Sequence, residues 1–217
     1  MVSLSTMASQ PKRCQRHICI VTETYPPEVN GVALTLARLV QGLLARGHAV
    51  SVIRPHRWAS GQTQPEQNPA GGPTVILVPG VPAPCYTGLH IGLPAARQLQ
   101  ASWTQYRPDA IYVATQGPLG WSAVRTAQRL HIPTLSGFHT NFHTYSKHYG
   151  LGWLEPLIFR YLWKFHNRTQ ATLVPSDDLR DRLHTRGFHN VRVLSRGVDS
   201  QLFTPERRSP ALRARWG

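Results

Sequence analysis

The fold of this chain can be inferred from one stretch near its start, His17-Ile-Cys-Ile-Val-Thr-Glu-Thr-Tyr-Pro-Pro-Glu-Val-Asn-Gly31. Residues 17–23 are mostly apolar and β-branched, as in a buried strand, and a turn-rich loop follows them. Residues 32–46 carry apolar side chains at helical spacing and end before Gly47, which suits a helix terminus. Residues 49–53 are again short and apolar. A strand, a loop, a helix and a strand in this order form a βαβ unit, which predicts a parallel sheet.

The same alternation continues along the chain. Further strands are predicted at 74–78, 110–114, 133–137, 171–174 and 191–194. Helices are predicted at 93–106, 119–130 and 156–167, together with one capped by Ser176. The fold class is therefore α/β, a doubly wound and mostly parallel sheet of about seven strands. The predicted organisation is an irregular start (1–16), one Rossmann-like domain (17–205), and the beginning of a linker or second domain (206–217).

Composition limits the classes of function. The chain is 41% hydrophobic and 16% charged, as in a globular protein, and no apolar run approaches the ~18 residues of a membrane-spanning helix. Residues 1–15 lack the apolar stretch of a signal peptide, so a cytoplasmic protein is expected. The three cysteines follow no metal-binding spacing. The net charge of +14 favours polyanionic partners such as anionic lipids, nucleotides or nucleic acids.

Three loops carry the residues of a candidate site. They are 23–31, 115–120 and 137–144, each placed after a predicted strand. Ligands of an open parallel sheet gather at the carboxyl ends of its strands, so we expect these loops to meet. In the first loop, Asn30-Gly31 opens a helix whose free N–H groups and dipole suit an anion. The loop is not G-x-G-x-x-G and no acidic residue ends the second strand, which argues against a nicotinamide dinucleotide.

Several motifs in this order resemble a known family. They are Tyr25-Pro-Pro-Glu-Val-Asn-Gly31, Gly117-Pro-Leu-Gly120, Phe138-His-Thr-Asn-Phe142, Arg196-Gly-Val-Asp199 and Phe203-Thr-Pro205. Over residues 17–217 the chain is similar to the N-terminal half of bacterial family 4 glycosyltransferases, which are retaining enzymes of the GT-B fold. Among them it resembles lipid-directed mannosyltransferases and plant sulfoquinovosyltransferases. The resemblance implies a nucleotide-sugar donor, GDP-mannose or a UDP-hexose, a lipid or glycan acceptor, and no cofactor or metal.

The resemblance also implies roles for individual residues. Asn30 and Gly31 would lie in the loop that approaches the donor diphosphate, and His139 would be the catalytic residue that reaches the hydroxyls of the donor sugar. The acceptor side would comprise Tyr25, Glu28, Gln116, Thr140, Asn141 and Tyr145. Gln116 stands where family members often carry glutamate. The glutamine retains a polar contact but lacks the charge. The paired glutamates of the second domain, eight residues apart in the family, have no counterpart here, so this chain alone is expected to be inactive.

Other interpretations of these residues stay open. His139 and His143 are four residues apart, but no third ligand supports a metal site. His139 could instead be a buried structural histidine. Whole-chain alternatives are a stand-alone carbohydrate- or lipid-binding module, a sugar-nucleotide epimerase and a basic nucleic-acid binder. The last lacks a recognised reader motif, and its basic residues are spread over many elements, so no nucleic-acid partner is expected.

The helix at 156–167 predicts a membrane contact. Its expected core stripe comprises Leu157, Ile158, Tyr161, Leu162 and Phe165. On the opposite side lie Phe159 and Trp163, flanked by Arg160 and Lys164, as in an interfacial helix on anionic lipid. This favours peripheral attachment to the inner face of the plasma membrane. The alternative is that both aromatic rings pack under a neighbouring loop or against a second domain.

Overall fold

The structure is a computed structural model that describes residues 15–56, 71–83, 89–139, 155–197, 200 and 203–216. The strands are β1 (His17–Val21), β2 (Ala49–Pro55), β3 (Thr74–Val78), β4 (Gly80–Pro82), β5 (His90–Gly92), β6 (Ala110–Val113), β7 (Thr134–Gly137), β8 (Ala171–Val174) and β9 (Val191–Val193). The helices are α1 (Gly31–Leu44), α2 (Ala96–Gln105), α3 (Pro118–Arg129), α4 (Glu155–His166), α5 (Asp177–His184) and α6 (Pro210–Trp216). A 3-10 turn, Pro205–Arg207, precedes α6.

Seven strands form one sheet in the order β3-β2-β1-β6-β7-β8-β9, and every neighbouring pair in it is parallel. The order reverses at β1, which pairs with β2 on one side and β6 on the other. The loops that follow β1, β6 and β7 therefore leave the same edge of the sheet from three adjacent strands. This is the edge at which ligands of doubly wound sheets bind.

Alternating side chains of the central strands contribute to two apolar cores, one on each face of the sheet. Ile20 of β1 and Tyr112 of β6 pack with Leu36 and Val40 of α1 on one face. The core on the opposite face combines strand residues with side chains of α2, α3 and α4. Its large buried side chains include Trp103, Leu119 and Phe165. A third cluster joins α4 to α5 and the ends of β8 and β9 around Phe138, Leu162 and Phe188.

The predicted α/β class and seven-stranded parallel sheet are confirmed. A two-stranded antiparallel hairpin, β4–β5, was not predicted, because strands of three residues carry too short a pattern to recognise. The helix expected from Leu93 begins at Ala96, after Pro94. Within the described ranges, no helix is long and apolar enough to cross a bilayer.

Helix α4 faces the core differently from its predicted stripe. Leu162 and Phe165 are buried as expected, whereas Leu157 is 62% exposed and Tyr161 is 40% exposed. The predicted core positions of Leu157 and Tyr161 are therefore wrong. The helix lies over both the sheet and the α5 region, so its buried face includes His166 and half-buried Phe159.

Replacement of Phe165 tests this orientation of α4. The ring is fully buried and packs edge-to-face on Trp121, with ring centroids 5.4 Å apart. Phe165→Ala should lower the free energy of unfolding by about 3–5 kcal/mol, measured by urea denaturation, because it leaves a cavity. Leu157→Ala on the same helix is the matched control and should cost less than about 1 kcal/mol. Equal losses in the two variants would contradict the observed facing of the helix.

Candidate active site

Asn30 caps α1 and uses its side chain to do so. Its carbonyl oxygen Oδ1 accepts hydrogen bonds from the amides of Val32 at 3.1 Å and Ala33 at 2.9 Å. Its Nδ2 donates to the hydroxyl of Thr24, which in turn donates to the carboxylate of Glu28. Two of the amides that were expected to face an anion are thus already satisfied within the loop. The predicted phosphate and acceptor roles of Asn30 and Glu28 remain predictions, and the structure gives both residues a part in shaping the loop.

Gly31 is left as the open amide of this helix start. None of the described residues accepts a hydrogen bond from its N–H, and the residue is exposed. Arg196, which follows β9, brings its guanidinium to the same point: its Nη1 lies 3.7 Å from where a Cβ on Gly31 would be. A helix N-terminus, a free amide and a guanidinium together form a positive corner suited to a phosphate group.

His139 lies directly beyond β7, on the same edge of the sheet. Its Nε2 is 2.7 Å from the hydroxyl of Tyr112, a buried residue of β6. Burial lowers the pKa of His139 to about 4, and the positive charge of Arg196 lowers it further in the same direction. The imidazole is therefore neutral at physiological pH. Since Arg196 acts on His139 and also reaches Gly31, it links the two predicted parts of the site.

Gln116 lies in the loop after β6 and contacts the end of β7. Its Nε2 donates to the carbonyl of Gly137 at 2.7 Å and lies 3.4 Å from His166 Nε2. Its own backbone carbonyl accepts a short hydrogen bond from the hydroxyl of Tyr161. Gln116 thus ties the loop after β6 to β7 and α4. This makes it a support for the loop that carries His139, and its predicted contact with the acceptor remains a prediction.

His166 is the centre of a buried polar cluster that the sequence did not reveal. Its Nδ1 is 2.8 Å from the hydroxyl of Ser136, which is 2.9 Å from that of Thr169. Burial lowers the pKa of His166 to about 3, and nearby His139 lowers it as well. The only sequence signal was its position four residues after Leu162, on the buried side of α4. A fully buried neutral histidine here fixes α4 against β7.

Tyr25 is half-buried against the core cluster beneath α1. Burial raises the pKa of its hydroxyl, and the positive charge of Arg54 opposes that effect. Arg54, the penultimate residue of β2, is 2% exposed, so a buried cation lies beside the predicted acceptor residue. Thr140, Asn141 and Tyr145 lie outside the described residues, so their predicted places on the acceptor side remain predictions.

Glu23 is a candidate site residue for which the sequence indicated no role. It follows β1, and its amide donates to the hydroxyl of Thr115 at 3.0 Å. Its carboxyl group lies against Gly117 at the start of α3, where any Cβ would overlap it. Its charge also acts on Tyr161. Burial raises the pKa of Glu23 to about 7, opposed by a backbone hydrogen bond from Gly92. Perturbed carboxyl groups at the switch in strand order are candidates for functional residues.

The outer side of α4 is partly covered. The ring of Phe159 packs edge-to-face on Phe188 with centroids 5.3 Å apart, and the guanidinium of Arg186 lies 4.9 Å above it. Trp163 donates through its indole N–H to the carbonyl of Gly187 at 2.8 Å and remains 38% exposed. The expectation that Phe159 faces outward is therefore corrected, because the loop after α5 covers its ring. Arg160 and Lys164 are exposed as expected.

Comparison with known proteins gives a family and a fold. The sequence profile described as Glycosyltransferase Family 4 matches residues 29–202. A GDP-mannose-dependent alpha-mannosyltransferase of Corynebacterium glutamicum is 33% identical over 199 residues, which cover 92% of this chain and 47% of that protein. An alpha-monoglucosyldiacylglycerol synthase of Streptococcus pneumoniae is 27% identical over 189 residues, covering 86% and 41% respectively.

Among solved structures, sucrose-phosphate synthase from Thermosynechococcus elongatus matches with a TM-score of 0.67 at 14% identity. The match covers 93% of this chain and 52% of that one, and at this identity it shows the fold alone. The chain spans about half the length of the curated relatives it matches.

The raised pKa of Glu23 predicts a pH-dependent stability. Between its ordinary value of 4.5 and about 7, the unfolded chain ionises Glu23 while the folded chain keeps it protonated. Its contribution to stability is therefore favourable at low pH and is lost as the pH rises through this window. Relative to Glu23→Gln, the wild type should lose on the order of 1–3 kcal/mol of unfolding free energy between pH 4.5 and 7.

Urea denaturation of both proteins across this range measures the difference. The matched control is Glu206→Gln, whose carboxyl group is fully exposed and whose pKa is lowered by hydrogen bonds, chiefly from Thr204. That variant should gain no stability relative to the wild type as the pH rises. A difference between wild type and Glu23→Gln that stays constant with pH would show that Glu23 is ionised normally.

Proposed function

The chain belongs to Glycosyltransferase Family 4, and we propose that it forms the acceptor-side half of a retaining glycosyltransferase. The complete enzyme would transfer a sugar from a nucleotide sugar, GDP-mannose or a UDP-hexose, to a lipid or glycan acceptor. The observation that carries the proposal is the meeting of Gly31, Arg196 and His139 at the carboxyl edge of the sheet. Since the chain spans about half of its relatives, the remaining contacts to the donor are assigned to a second domain.

Charge stabilisation is the main task of this corner. As the bond between sugar and diphosphate breaks, negative charge grows on the leaving phosphate oxygens. The Gly31 amide, the α1 dipole and the Arg196 guanidinium can stabilise that charge without a metal ion. His139 would contribute a hydrogen bond near the reacting carbon of the sugar. We propose no cofactor, because the leaving group can be held by these fixed donors.

The acceptor would enter past Tyr25. The relative from Corynebacterium glutamicum is named for GDP-mannose, and the relative from Streptococcus pneumoniae is named for a diacylglycerol glycolipid. Mannose as the transferred sugar and a lipid as the acceptor are therefore the preferred members of the proposed classes.

A lipid acceptor calls for a place at a membrane surface. We propose that the protein is cytoplasmic and attaches peripherally to the inner face of the plasma membrane through the exposed side of α4. Arg160 and Lys164 would face anionic headgroups, and Trp163 would lie at their level. Leu157, exposed on the same helix, adds apolar surface to this contact.

The role of His139 is tested by turnover of the complete gene product. Transfer of radiolabelled mannose from GDP-mannose to a lipid extract should give an α-linked product. His139→Ala should lower kcat by about 100-fold, the cost of losing one positioned donor at a developing charge. The matched control is His189→Ala, because His189 is exposed and precedes β9 at the opposite edge of the sheet. Undiminished turnover in His139→Ala would remove this histidine from the mechanism.

Membrane attachment is tested by co-sedimentation with vesicles of phosphatidylcholine containing phosphatidylglycerol. Arg160→Gln with Lys164→Gln should reduce binding about 10- to 30-fold, since each cation near an anionic surface contributes about 1 kcal/mol. Arg213→Gln with Arg215→Gln in α6 removes the same charge elsewhere and should bind like the wild type if α4 is the contact. Equal weakening of both double variants would indicate diffuse charge attraction and no role for α4.

A further inference from the structure

Tyr112 is the residue on which His139 rests. It lies on the α1 side of β6, is 5% exposed and packs with Ile20 and Leu36. Its hydroxyl reaches His139 Nε2 at 2.7 Å, and the two rings meet edge-to-face with centroids 6.1 Å apart. The contact joins the end of β6 to the first residues after β7, so it links two adjacent strands at the ligand edge of the sheet.

Gly137 makes this contact sterically possible. A Cβ at this position would lie 2.6 Å from His139 Nε2 and would also overlap the hydroxyl of Tyr112. The backbone at Gly137 is in addition fixed by the hydrogen bond from Gln116 to its carbonyl. The glycine thus leaves space for the two polar side chains to meet over the strand end.

The direction of the hydrogen bond follows from the chemistry of the pair. The hydroxyl of Tyr112 has no hydrogen-bond partner other than His139 among the described residues. A buried O–H donor without an acceptor costs about 1–3 kcal/mol, so the phenol is expected to donate to Nε2. Burial raises the pKa of Tyr112, and the charge of Arg196 opposes this effect. The raised pKa keeps the phenol protonated and able to donate. A neutral imidazole that accepts at Nε2 carries its proton on Nδ1.

We propose that Tyr112 is a positioning residue that holds His139 in the tautomer protonated on Nδ1, so that His139 meets the substrate as a hydrogen-bond donor. This inference rests on the proposed function, which places His139 beside the donor sugar. With Nε2 occupied, His139 does not act as a general base, and the Nδ1–H group points to an oxygen acceptor on the nucleotide sugar, a hydroxyl or a phosphate oxygen.

The groups around the imidazole support a neutral donor. Arg196 approaches from beyond β9, His166 from α4 and Tyr112 from β6, and none of them carries a negative charge that would stabilise an imidazolium. A histidine held neutral at physiological pH exists in two tautomers, and the partner of one nitrogen decides between them. Tyr112 therefore determines whether the substrate meets a donor or an acceptor at this position.

The tautomer can be measured directly on this chain by nitrogen NMR with labelled histidine. Signals of His139 are assigned by their loss in His139→Ala. In the wild type, Nδ1 should carry the proton and Nε2 should give the signal of an unprotonated acceptor. Tyr112→Phe, which keeps the ring in the core, should lose this preference. The control Tyr106→Phe alters an exposed hydroxyl and should leave the His139 signals unchanged. A wild-type His139 protonated on Nε2 would overturn the inference.

Kinetics of the complete gene product then separate the inference from the function on which it rests. Tyr112→Phe should lower kcat about tenfold with KM within about twofold, the effect of one hydrogen bond lost in the transition state. Gly137→Ala, which pushes the pair apart, should likewise lower kcat and leave KM nearly unchanged. If His139→Ala loses turnover while Tyr112→Phe keeps it, the positioning role is overturned and the proposed function stands. If neither variant loses turnover, the catalytic place of His139 fails, and the inference fails with it.

Discussion

The parallel pairing of β1 with β2 on one side and β6 on the other is the constraint from which the site follows. It requires the loops after β1, β6 and β7 to leave one edge of the sheet side by side. Candidate site residues from three separated parts of the chain are thereby brought to the same edge of the sheet. The apolar side chains that stabilise this pairing alternate between two cores, so the central strands that carry the candidate site are deeply buried on both faces.

Polar contacts fix the ends of the loops, which the pairing of the strands alone does not hold in place. Ser136 and His166 tie β7 to α4, and Gln116 ties the loop after β6 to Gly137. Ser136 and His166 are fully buried and must find their partners inside the protein, which restricts the backbone to few arrangements, whereas Gln116 is half-buried. His139 follows directly on this fixed segment. The position of His139 therefore depends on hydrogen bonds within the segment that precedes it, together with its own contact with Tyr112.

The sequence predicted what local patterns encode. The strands appeared as apolar runs, and Asn30 appeared as the residue that opens α1, because strand periodicity and helix capping act over a few residues. Arg196, Glu23 and Tyr112 acquire their places only through long-range packing, so their contacts with Gly31, Gly117 and His139 could not be predicted. The facing of α4 was predicted wrongly at Leu157 and Tyr161 for a related reason. A periodic stripe identifies an amphipathic helix, but it does not say that one side of the helix will be shared between two packing partners.

The glycines of the site motifs have a role beyond allowing turns. At three strand or helix ends, a polar side chain from another element occupies the space that a Cβ would fill or border. The pairs are Gly31 with Arg196, Gly117 with Glu23, and Gly137 with Tyr112 and His139. Close approach to a backbone lets a charged or polar group lie beside a helix N-terminus or a strand end, where backbone dipoles act on it most strongly. A side chain at the second position would displace Glu23, and one at the third would displace Tyr112 and His139. The motif glycines therefore provide the space that these polar side chains occupy, and most of the pairs lie far apart in the sequence.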